Sequence, residues 1–60
     1  MILPADIARL AAEKLPACTR DAARVVVPVQ VEGCMFRVTF VARFVDGAPR
    51  WHAHDVEPQP

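Results

Sequence analysis

Cys18, Cys34, His52 and His54 are the side chains of this chain best suited to ligate a metal or act as nucleophiles. Zinc favours thiolate and imidazole ligands, but its common sites bring them in as C-x2-C or H-x3-H pairs, and no pair here has that spacing. Cys34 falls in a tight turn between two extended runs, whereas Cys18 precedes the first of them. A strand of that length sets the two thiols roughly 20 Å apart, too far for a joint site or an intrachain disulfide. Two reduced thiols are expected, with Cys34 packed inward as a small hydrophobe. His52 and His54, two residues apart, share a face of any strand that holds them. A two-histidine site at a seam between copies is geometrically open to them, beside the plainer alternative of two solvent-facing imidazoles. Catalysis has little to build on. Serine is absent, and the neighbours His54 and Asp55 point to opposite sides of a strand. No catalytic residue, metal ligand, cofactor or small-molecule substrate is assigned, and the chain reads as a non-enzyme.

The sharper chemistry lies in the arginines. From Arg24 onward the sequence alternates with period 2. Val25, Val27, Val29 and Val31, then Phe36, Val38, Phe40, Ala42 and Phe44, then Trp51 and Ala53, take one parity. Arg24, Arg37, Arg43, Arg50, His52 and His54 take the other. Successive strand residues face opposite sides of a sheet, so an oily face and a cationic face are expected. Guanidiniums grouped in this way suit phosphates or carboxylates. The competing reading is that they splay into water while their stems cover Val26, Val41 and Val45. Few acids are expected on that face, with Glu32 and Asp46 confined to the turns. Val26, Val41, Val45, Val56 and Met35 share it, which gives the mixed apolar and arginine composition of interface patches.

Composition bounds what these faces can serve. Sixty residues, 53% hydrophobic with zero formal net charge, make one small domain that is too apolar for disorder. A chain of this size buries only about 60% of its unfolded surface, which favours oligomerisation. Neutrality gives no global attraction to nucleic acid or anionic membrane. The start of the chain does not pattern as a signal peptide, and no apolar run reaches the roughly 20 residues of a spanning helix. A cytoplasmic protein is expected. The bias of Arg over Lys, with Ser, Asn and Tyr absent, suggests a GC-rich bacterial or phage gene.

The elements follow from the same residues. Pro4 suits the first helical position, and Asp6 complements the positive end of the helix dipole. Ile7, Ala11 and Leu15, flanked by Leu10, form an apolar stripe that predicts a helix ending near Leu15, before Pro16. Ala5, Ala8 and Ala12 leave a smooth flank, suited to close contact or simply to helix propensity. Glu32-Gly33 and Asp46-Gly47 read as two-residue hairpin loops. The first pairs Val31 with Cys34 and Val25 with Phe40. The second pairs Ala42 with Trp51 and Arg43 with Arg50, although a longer loop through Pro49 would set Arg43 against His52 instead. Pro28 and Pro49 fall where their missing N–H groups face outward, which makes strand two central.

The expected fold class is therefore α+β: a two-layer αβββ domain over residues 1–56, its N-terminal helix packed on a three-stranded antiparallel meander of order 1-2-3. Residues 57–60 are expected to form an extended or disordered tail. The core is expected to hold Ile7, Leu10, Ala11, Leu15, Val25, Val27, Val29, Phe36, Val38, Phe40, Phe44 and Trp51. The function expected is a small protein-interaction module, a homodimer or a binder of another protein. Its contact residues would be Arg24, Arg37, Val41, Arg43, Arg50, His52 and His54. Nucleic-acid binding through the same Arg/His face is the alternative, and an inhibitor or accessory factor of a mobile element would use that face too.

Overall fold

A computed structural model describes residues 3–20 and 22–59. Helix α1 spans Pro4–Ala12, and strands β1 (Arg24–Val31), β2 (Cys34–Val45) and β3 (Ala48–Pro58) follow. The strands form one antiparallel sheet in the order β1-β2-β3, and α1 packs on one face of it, touching all three strands. The expected α+β architecture is what the chain adopts.

Pro4 opens α1 behind an extended Leu3, with no side chain capping the first amides. Its missing N–H falls where a helix has no partner for one. Asp6 lies in the first turn and accepts a 3.0 Å bond from Arg9. Regular helix ends at Ala12, three residues before the expected stop. The chain then tightens through i to i−3 bonds at Glu13, Lys14 and Leu15 and straightens before Pro16. Helical residues before a proline are sterically disfavoured, and the tightened turns lie next to it.

Both hairpins turn through two residues. Glu32 and Gly33 have φ of 49° and 80°, and Asp46 and Gly47 have 53° and 81°. Positive φ at both central positions matches the right-handed twist of the flanking strands, and the glycines carry it without strain. Val31 therefore pairs with Cys34 and Val25 with Phe40. Ala42 pairs with Trp51 and Arg43 with Arg50, so the short-loop register is the one formed.

The core gathers Ile7 and Ala11 from α1 with Val27, Val29, Val31, Val38 and Phe40 from the sheet. Leu15, Val25, Phe36, Trp51 and Val56 pack partly buried around it. Two expected core residues lie outside: Leu10 is 40% exposed and Phe44 is 61% exposed. Length explains Phe44. A helix of 9 residues is about 13 Å long, whereas 12 residues of β2 reach about 40 Å, so the hairpin runs on past its cover. The molecule is accordingly drawn out, 38 × 18 × 16 Å, with a radius of gyration of 11.9 Å against about 10.4 Å for a compact domain of this length. Cys34 is also exposed, because its position at a hairpin tip leaves nothing above it to pack against.

Strand β3 departs most from expectation. It continues through Glu57 and Pro58, where an extended or disordered tail is expected from residue 57. The amide of Gln59 still donates to the carbonyl of Met35 at 2.8 Å. The pairing also slips by one residue: Phe40 faces Ala53 but Thr39 faces Asp55, leaving His54 unopposed in a β-bulge.

Candidate interaction face

The sheet face turned away from α1 is lined in register by Arg24, Val26, Pro28 and Gln30 of β1 and by Met35, Arg37, Thr39, Val41, Arg43 and Val45 of β2. From β3 it receives Arg50 and His52 before the bulge, and Asp55 and Glu57 after it. No described element packs over this face. Arg24, Arg37, Arg43, Arg50 and His52 all take the expected side and are exposed. Arg43 and Arg50 stand directly opposite each other across the β2–β3 ladder, an arrangement in which like charges repel unless an anion or carboxylate lies between them.

The bulge changes the second half of β3. An extra residue reverses the phase of every side chain that follows. Val56, expected outward, pairs with the buried Val38 and joins the core margin. His54, expected beside His52, is the unpaired bulge residue. It lines a shallow recess of about 340 Å³ with Pro4, Ala5 and Ala8 of α1. The two histidines are thereby separated, and among the described residues no three His, Cys, Asp or Glu side chains gather as a metal site.

In place of His54 and Val56 the outer face gains two carboxylates. Glu57 reaches the Arg37 guanidinium at 3.5 Å, with both side chains more than half exposed. An exposed pair of this kind contributes about 0–1 kcal/mol and is easily re-partnered. The expectation that few acids share the arginine face is corrected accordingly. A signal for the bulge was present in the sequence. Unbroken alternation would turn Asp55 and Glu57 toward the core and Val56 toward water.

Val41 is only 8% exposed although it lies on the outer side, at the middle of the central strand. Its cross-strand neighbours are Arg24 and His52, whose stem and ring stand beside it on the same face. Val26 and Met35 are not covered, at 49% and 39% exposure. The face thus carries separate apolar side chains, with Arg24, Arg43 and Arg50 toward one end and Asp55 and the Arg37–Glu57 pair toward the other.

Prolines interrupt both sheet edges. The register places Pro28 on β1 opposite Arg37, and Pro49 and Pro58 on β3 opposite Phe44 and Phe36. Alternation from each turn makes all three non-hydrogen-bonded pairs, so each proline ring occupies an outward position where an amide would otherwise invite a partner strand.

One contact fixes the connector between α1 and the sheet. The Trp51 indole Nε1–H donates to the carbonyl of Pro16 at 2.9 Å. Ala22 and Ala23 also exchange backbone bonds with Ala42 at 3.1 and 2.8 Å. Trp51, Pro16 and Ala42 together close the sheet beyond the end of the helix.

No family model, curated protein or solved structure matches the chain. No helix among the described residues is long and apolar enough to cross a membrane.

Proposed function

We propose that this chain is a small interaction module without catalysis of its own, which works by docking its outer sheet face on protein and forms a homodimer through it. One observation carries the reading: Val26 and Met35 stand exposed among arginines on a face that no described element covers. Apolar side chains interleaved with arginine and methionine match the composition of protein interfaces. Prolines on both edges disfavour strand addition there, which favours association through this face. Sedimentation equilibrium on the purified chain tests the idea. A dimer that Val26→Asp weakens is expected, and a monomer throughout the micromolar range would overturn it.

Arg43 and Arg50 opposed on an open face favour a second reading, binding of nucleic-acid phosphates with help from Arg24 and His52. Asp55 and Glu57 on the same face count against a polyanion. Binding of this kind weakens with salt by about 0.9 log units per log unit for each phosphate neutralised. Titration of duplex and single strands at low ionic strength, with no salt-sensitive binding found, would reject it.

A further inference from the structure

The outer face of β3 reads Arg50, His52, Asp55, Glu57 along the strand: two hydrogen-bond donors, then two acceptors. The bulge at His54 alone creates that order, since without its phase reversal the second half would present His54 and Val56. A donor half followed by an acceptor half is self-complementary under a two-fold rotation. Two sheets meeting face to face have their two-fold axis in the plane between them, along the strands or across them. An axis along the strands would set donor half on donor half and acceptor half on acceptor half. An axis across the strands lays β3 on β3 antiparallel and brings each half against its opposite.

We infer that the partner of this face is a second copy of the chain, docked antiparallel about an axis that crosses β3 near its bulge. Arg50 of each copy then meets Glu57 of the other, and His52 meets Asp55. This rests on the outer face being a docking surface for a second copy, and adds the orientation and the residue pairs by which that copy docks. The central strands cross over Thr39 and Val41, so the near-buried Val41 lies close to the axis and the exposed Val26 and Met35 are covered. Arg43 approaches Arg37 of the second copy, and Glu57, 3.5 Å from its own Arg37, lies beside both as an acceptor that Arg37 shares with the incoming Arg50. Arg24, on the edge strand β1, stays at the rim, where its guanidinium reaches water. Three strands at the usual spacing offer a footprint of roughly 500 Å² per copy. About 1,000 Å² in total is the low end of specific interfaces, so a reversible, micromolar dimer is expected.

Charge reversal tests the orientation. R50E and E57R are prepared separately, with circular dichroism confirming the fold of each, and dimerisation is measured by sedimentation equilibrium. Either variant alone sets like charges opposite each other in the dimer and is expected to dimerise about tenfold more weakly than the native chain. An equimolar mixture is expected to recover near-native affinity as a heterodimer, because the acidic pair of one variant meets the basic pair of the other. The double variant R50E/E57R is expected to recover as a homodimer. A native chain that dimerises while neither variant weakens it, or variants that weaken it without recovery on mixing, would overturn the antiparallel arrangement and leave the module reading standing. A native chain that stays monomeric would overturn both.

Discussion

Val38 has no exposed surface and lies at the centre of the middle strand, beneath α1 and between Val27 and Val56. Replacing it by Ala removes two methyl groups from a site closed on both flanks, where collapse to fill the space is restricted. Val38→Ala is expected to cost about 2 kcal/mol of stability, read as a lower urea midpoint with an unchanged slope. Val41, next but two along the chain, shows how differently burial can arise. It is nearly buried on the outer face, in the central strand between Arg24 and His52, and period-2 parity alone marks it as exposed. The same limit applies to Phe44. Parity assigns its side correctly, but only the length of the helix decides whether that side is covered.

At the scale of elements, the two hairpins were legible because Glu32-Gly33 and Asp46-Gly47 each fix the register of the residues next to the turn. Gly47, at φ 81° with open space around its Cα, tolerates a methyl group sterically but not conformationally. Gly47→Ala is expected to destabilise by about 1 kcal/mol through backbone strain alone, seen as a lowered thermal midpoint. No glycine or proline marks the bulge in β3; its one trace in the sequence is that unbroken parity would bury Asp55 and Glu57. It can be tested by removing its unpaired residue. With His54 deleted, Asp55 follows Ala53 directly and still falls opposite Thr39, so the ladder closes in the same phase. The deletion variant is expected to fold with cross-strand contacts between Thr39 and Asp55 intact in nuclear magnetic resonance spectra. Loss of that pairing would mean that the extra residue is needed to curve the strand. The strand also outlasts its expected end because Pro58, which lacks a donor, stands where the edge requires none.

The whole molecule exposes 4346 Å², against about 3,900 Å² for a compact monomer of 6.6 kDa. The excess agrees with its drawn-out shape and with the hairpin that reaches past the helix. A chain of this size with surplus surface gains stability from any association that covers it, by mass action. Its thermal midpoint is therefore expected to rise with protein concentration, by several degrees across a hundredfold range in calorimetry. A midpoint independent of concentration would place the folded state in the monomer alone. The α+β class and the strand order could be read from the sequence because they depend on local turns and alternation. The charge layout of the outer face left only the trace of Asp55 and Glu57 out of phase, because it depends on one slipped residue between distant parts of two strands.

Trp51 is the lone indole in a chain without tyrosine, and its ring nitrogen is bound to a carbonyl of the segment that joins helix to sheet. Its fluorescence therefore comes from a single, structurally defined spot. Undocking of that connector would bare the ring to water and shift its emission to longer wavelength, so the molecule carries its own optical gauge of how its two layers are joined.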